Sequence, residues 1–372
     1  MNKMIPAVFA LCAAFLSCTP ANERMTRISG TLSGENVPDS VSVQYWVEST
    51  DSPVKSIRIP VVDGRFEAEI PTCITQFSEV IVERDYISFI ADGTTLSIDP
   101  ATHRITSSDP DGVQSRYNAW QQEWTDLGVE MFMHSFTFTE RKDAGEDNSE
   151  EVLALEKEYY RKLAYIHQDA IRKNPDNIVA AMALSALESA DPKLAVSLLG
   201  EISDELKKKN TTLQFLLPTL EARAKTAIGD MFADFEVVQD PAHPETSTVK
   251  LSDYVGKGKA VLMVLWASWC EQNQREMPGL KQLYEKYHGD TFDMLSVAVS
   301  DAPEYSLAAA KEMGISWNLI VNAQSIPLEL YGVRNIPDMI LFGPDGTILL
   351  RGFWGYDNQM LETIIRKYVF HT

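Results

Sequence analysis

One cysteine in the chain stands where chemistry is most readily done, in Val264-Leu265-Trp266-Ala267-Ser268-Trp269-Cys270-Glu271-Gln272-Asn273-Gln274-Arg275-Glu276-Met277-Pro278. The apolar run from Ala260 to Trp266 has the length and character of a buried parallel strand, and the charged, amphipathic stretch after Cys270 that of a helix. Cys270 is therefore expected at a helix N-terminus. There, unpaired backbone N–H groups and the helix dipole favour a thiolate, the nucleophile of disulfide exchange. The flanking Trp269 and the switch from strand to helix set this residue apart from an inert core cysteine.

Having a single thiol limits what can follow. In a dithiol enzyme the first sulfur forms a mixed disulfide with the substrate and a second sulfur attacks it to release the product. Asn273, one helical turn beyond Cys270, has no sulfur and cannot take that second role. Cys73 could resolve the intermediate only from a different part of the chain, and nothing in the sequence places it near Cys270. A protease built on Cys270 and His288 is excluded because the two would lie about 27 Å apart along one helix, at a rise of 1.5 Å per residue.

The segment resembles the active site of the thioredoxin-like family of TlpA and ResA, membrane-anchored extracytoplasmic thiol-disulfide oxidoreductases. Their signature is W-A-S-W-C-x-x-C followed by a basic residue, E and P, which Trp266 to Cys270, Arg275, Glu276 and Pro278 match. Downstream, Tyr331-Gly332-Val333-Arg334-Asn335-Ile336-Pro337, followed by Met339-Ile340-Leu341-Phe342-Gly343-Pro344-Asp345-Gly346, resembles the family's cis-proline loop leading into a strand and hairpin. The resemblance covers residues 226–372 and implies a thioredoxin fold there. It also implies that Cys270 attacks, and that Pro337, in the cis form, sits opposite and shapes the substrate groove. Ile336 would offer backbone hydrogen bonds to a bound chain, and Glu276 would lie near the thiol to tune it or relay a proton.

The chain departs from the family at Asn273, where the second cysteine would stand, at Asp338, where threonine usually follows the proline, and at Val264, the place of the buried acid of thioredoxin itself. The expected activity is mixed-disulfide formation through one cysteine, in an isomerase-like or capture role. It would act on exported proteins that carry thiols or disulfides, with an external thiol to resolve the product and no cofactor. A thioredoxin-fold binding or chaperone-like module without redox turnover is the alternative. A peroxidase would need Pro and Thr where Met263 and Ala267 stand.

The elements that must position this site fall into a multidomain α+β and α/β arrangement. Residues 25–110 alternate apolar and polar positions, with a hairpin expected across Asp63-Gly64, which predicts an antiparallel β-sandwich or barrel. Through Ile28-Ser29-Gly30 and Asp63-Gly64-Arg65-Phe66 it resembles the domain of unknown function DUF4369 that precedes thioredoxin modules in Bacteroidetes lipoproteins. Residues 112–225 carry helical periodicity, including Trp120 and Trp124 on one face, and predict a helical linker domain. A polar run over 139–151 reads as a loop between helices.

At the N-terminus Lys3 precedes an apolar stretch from Ile5 to Leu16 that ends in Ser17-Cys18. The stretch is shorter than the ~20 residues needed to span a bilayer, and it is expected to be a lipoprotein signal over residues 1–18 with Cys18 lipidated. That places the mature chain on a membrane facing the periplasm, in the cell envelope. Acidic residues outnumber basic ones 53 to 33 for a net charge of -20, which argues against nucleic acid as a partner. The six histidines are scattered, and none pairs with another at metal-ligand spacing.

Overall fold

The computed structural model describes residues 24–34, 36–47, 54–143, 149–352 and 358–370. The expected signal and lipidation site at Cys18 lie outside them. The chain divides into two compact units, one of Met1–Met182 with Ile202–Thr211 and the other of Ala183–Glu201 with Thr212–Thr372. The helical stretch 112–225 is thus shared between the two.

In the first unit the strands are β1 (Met25–Thr31), β2 (Ser40–Trp46), β3 (Val54–Pro60), β4 (Arg65–Pro71), β5 (Cys73–Val82), β6 (Asp85–Ala91), β7 (Thr95–Asp99) and β8 (Arg104–Ser107). They form two four-stranded sheets, in the orders β4-β1-β7-β8 and β3-β2-β5-β6. Alternation buries one side of most strands, and Ile28, Val43, Phe66, Ile70, Phe89 and Leu96 meet in one apolar cluster fed by both sheets. Two expectations need correction. The pairing is not wholly antiparallel, because β1 runs parallel to β7. The Asp63-Gly64 turn, with both residues at positive φ, does not close a hairpin: beyond the Val62–Arg65 bridge, β3 pairs with β2 and β4 with β1. The turn carries the chain from one sheet to the other, and alternation alone cannot show that step.

Two long helices follow, α1 (Val113–Asp143) and α2 (Ser149–Lys173). α1 continues into the polar run expected to be a loop, leaving only 144–148 outside the described residues. Trp120 donates its indole N–H to Nδ1 of the buried His167 at 3.2 Å. Burial pushes the His167 imidazole down to about 4, so it is neutral at ordinary pH, as its acceptor role requires.

The chain continues through α3 (Ile178–Ala190), α4 (Pro192–Ser197), α5 (Asp204–Lys209) and α6 (Thr211–Lys225). After a small hairpin of β9 (Glu236–Val238) and β10 (Thr248–Lys250), bridged by α7 (Pro244–Ser247), come β11 (Ala260–Trp266), α8 (Glu271–Tyr287), β12 (Phe292–Ala298), α9 (Pro303–Met313), β13 (Asn318–Ile320), α10 (Ile326–Tyr331), β14 (Asp338–Phe342), β15 (Ile348–Arg351) and α11 (Asn358–Ile365). The five-stranded sheet has the order β13-β12-β11-β14-β15. β11, β12 and β13 are parallel, and β14 and β15 are antiparallel to their neighbours.

All seven residues of β11 are buried, as expected for a central strand covered on both faces. Leu262, Val264 and Trp266 point to one face, beneath Met277 and Leu280 of α8. Val261, Met263 and Leu265 point to the other, with Phe235, Leu251 and Tyr331. This sandwiching delivers the end of β11 and the start of α8 to one point, where Cys270 stands.

Candidate active site at a strand-to-helix junction

Cys270 is the N-cap residue of α8, with an extended backbone at φ -85° and ψ 106°. Its thiol is free and half-buried. The Sγ lies 3.8 Å from the carbonyl oxygen of Ile336, within reach of a weak S–H donation. The Ile336–Pro337 peptide is cis, as the family resemblance implies. The structure therefore brings together Cys270, Ile336 and Pro337 from two motifs far apart in the chain.

The motif residues take distinct places. Trp266 is fully buried in the core, whereas Trp269 is 61% exposed and donates its indole N–H to the Ser300 carbonyl at 3.0 Å. Glu271 is exposed in the first turn of α8. Gln272 donates to Oε1 of Glu276 at 3.1 Å, while the other carboxylate oxygen of Glu276 is buried without a partner among the described residues. Asn273 is buried, and its side-chain oxygen accepts from the backbone N–H of Ala267 at 3.4 Å. Val264 lies within the apolar core, so an acid is absent from that place.

Sequence reasoning missed the residues that hold this junction from outside the motif. Asp301, just beyond the end of β12, is buried; its Oδ2 accepts from the Ser268 N–H at 2.7 Å and from the Ser306 hydroxyl at 2.9 Å. Gln324 donates to the Asp301 carbonyl at 3.0 Å. The available signal was the pair Ser300-Asp301 directly after a strand parallel to β11, since ligands and site residues gather at such strand ends.

A buried charge cluster was also missed. Glu188 of α3 has a side chain only 1% exposed and pairs with Arg223 of α6 at 2.7 Å and with Arg334 of the cis-proline loop at 3.1 Å. Arg334 also donates to the Thr219 hydroxyl at 3.1 Å. Nearby, Arg351 donates to the Thr226 carbonyl at 2.5 Å and to the Tyr331 carbonyl. Burial lowers the Arg351 guanidinium to about 10, helped by the Arg223 charge and opposed by Asp338 and Glu188. Burial likewise raises the Asp338 carboxyl above its ordinary range, against the pull of Arg351 and Arg223. Asp338 therefore sits among guanidinium groups.

No helix among the described residues is long and apolar enough to cross a membrane, and no group of histidine, cysteine and acidic residues there could hold a metal ion.

Residues 228–351 match the model of the AhpC/TSA family. With the five-stranded sheet and the thiol at the head of α8, this makes the C-terminal part of the chain a thioredoxin-like domain. It is similar to the thiol-disulfide oxidoreductase ResA of Geobacillus kaustophilus, at 29% identity over 127 residues, covering 34% of this chain and 69% of the relative. The ResA of Oceanobacillus iheyensis is 27% identical over 121 residues, covering 32% and 62%. A crystal structure of the thioredoxin domain of a thiol-disulfide oxidoreductase from Bacteroides vulgatus is 24% identical, covers 38% of this chain and 98% of that chain, and superimposes with a TM-score of 0.33. Over about a third of this chain the domain is thus similar in sequence to ResA-type thiol-disulfide oxidoreductases.

Proposed function

We propose that this thioredoxin-like domain exchanges disulfides through Cys270 alone. The Cys270 thiolate attacks one sulfur of a substrate disulfide, the S–S bond breaks, and the other substrate sulfur leaves as a thiolate that takes up a proton. A mixed disulfide remains on Cys270. A second thiolate from outside the domain then attacks the substrate sulfur of that bond, forms a disulfide with it and restores the Cys270 thiolate. In each step the attacking sulfur is oxidised as the leaving sulfur is reduced, so the number of disulfides stays constant and neither an outside oxidant nor a cofactor is needed.

The observation that carries this reading is the pairing of a free Cys270 thiol against the Ile336 carbonyl with a buried Asn273 where a second sulfur would be. Glu276, with one desolvated oxygen, is the group proposed to exchange protons with the thiol. The groove beside Ile336 and Pro337 would take an extended segment of an exported protein. The N-terminal β-rich part would serve as a DUF4369-like spacer or docking module, and a lipidated Cys18 would hold the chain on a membrane in the cell envelope.

The test uses the full chain carrying Cys73→Ala, incubated with an extended peptide that bears a disulfide. A covalent adduct on Cys270, stable until glutathione is added, is the expected result. Absence of any adduct in the folded protein sinks the exchange reading and favours a groove that binds without sulfur chemistry.

A further inference from the structure

We infer that Glu188, a residue of α3 outside the matched segment 228–351, is a positioning residue for the thiol site and acts through Arg334 on the loop from Gly332 to Pro337. The inference rests on the disulfide exchange proposed for Cys270.

Both oxygens of Glu188 are engaged. Oε1 accepts from Arg334 Nη1 at 3.2 Å and pairs with Arg223 Nε at 2.7 Å, and Oε2 accepts from Arg334 Nη2 at 3.1 Å. A two-point fork of this kind fixes the plane of a guanidinium as well as its distance. Arg334 stands two residues before Ile336, whose carbonyl faces the Cys270 sulfur at 3.8 Å.

A second contact clamps the other end of the same loop. Gly332 lies at φ +62°, and a Cβ there would meet the Thr219 carbonyl at 2.5 Å and the Arg223 nitrogen at 2.7 Å. The backbone of α6 therefore rests directly on the loop, with Arg223 adjoining both the clamp and Glu188.

The charge balance makes Glu188 the sensitive member. Arg223, Arg334 and Arg351 are opposed by Glu188 and Asp338, and Arg351 already loses affinity for its proton through burial and the Arg223 charge. Removing the Glu188 charge takes from Arg223 and Arg334 the counter-ion they share, which forces them apart and carries the loop with them. A buried ion pair is weak evidence for stability, because apolar residues of similar volume often serve as well. What the fork adds here is orientation of the loop that faces the thiol. Exchange needs the attacking and leaving sulfurs in line, so a bound chain displaced by a small shift of the loop reacts more slowly.

The experiment compares the Cys73→Ala protein with and without Glu188→Gln, using two reagents against Cys270. Iodoacetamide needs only the thiol, and a peptide disulfide needs the groove as well. Glu188→Gln is expected to slow the peptide reaction about tenfold or more while leaving the iodoacetamide rate within about twofold. A general structural role would lower both rates together, and that outcome, or no change in either, overturns the inference. Hydrogen exchange in the same variants is read without sulfur chemistry. Faster exchange at the 332–336 amides with β11 still protected supports positioning, and unchanged exchange overturns it. A parent protein inert to the peptide thus refutes the proposed exchange, while the amide data still decide the role of Glu188. Should Glu188→Gln fail to fold, Arg334→Lys keeps the charge, removes the fork and is expected to give the same split.

Discussion

The side-chain oxygen of Asn273 accepts a hydrogen bond from the backbone N–H of Ala267 at 3.4 Å, so the position that would carry a second thiol instead ties the first turn of the helix to the end of β11. Restoring sulfur there tests whether the remaining geometry is that of a dithiol site. Asn273→Cys is expected to close a disulfide between Cys270 and the introduced thiol under mild oxidation, seen as loss of both thiols from alkylation and mass measurement. If both stay alkylatable in the folded, oxidised protein, the junction is not shaped for a pair. The reduced variant should lose about 1 kcal/mol of stability with the hydrogen bond.

Asp301 supports the same junction from the next strand, accepting from Ser268 N–H and from the Ser306 hydroxyl. Asp301→Ala leaves the half-buried Ser268 N–H without its acceptor, while the Ser306 hydroxyl keeps the Ala302 carbonyl at 3.2 Å, and about 1 kcal/mol of stability should be lost. Denaturant unfolding checks the energy. Alkylation of Cys270 should also slow, since Ser268 lies two residues from the thiol. A variant as stable as the parent would show that the two bonds contribute little.

The first unit should weaken on mild acidification. An unfolded His167 takes up a proton near its ordinary value of about 6.5, whereas the folded residue does so only at about 4. The unfolded state therefore binds more protons between these values. Stability is fully present above the upper value and is lost as pH falls towards the lower, by an amount on the order of 3 kcal/mol. Urea unfolding of the first unit, measured across this window, should show the slope. His167→Gln, which keeps an acceptor for Trp120, should flatten it, and an equally steep curve in that variant would assign the slope to other groups.

Gly332→Ala meets two obstacles, a left-handed backbone and the α6 backbone less than 3 Å from the new carbon. The expected cost is about 2 kcal/mol or more. Thermal melting of the variant gives the answer, and a melting temperature equal to the parent's would mean that α6 can back away from the loop at little cost.

Much of the site was legible because its signals are local. Seven apolar residues in a row marked β11, and the Ile336-Pro337 loop announced itself by its residues. What escaped is long-range. Glu188 reads as one more polar residue on a helix, because nothing near it in the chain reveals the arginines at 223 and 334 that surround it. Asp63-Gly64 has the composition of a hairpin turn, and turn chemistry fixes the local bend without fixing which strands pair beyond it. The polar run after Phe138 lacks an apolar stripe, yet α1 extends through Asp143 because intrahelical hydrogen bonding needs no stripe to continue.

Trp269 has its indole N–H held by Ser300 and most of its ring in solvent, directly beside Cys270 in the chain. The molecule thus carries its own optical reporter at the reactive sulfur. Anything that settles over the thiol, covalently or not, changes the polarity around that indole, so occupancy of the site can be followed by emission in real time without attaching a dye.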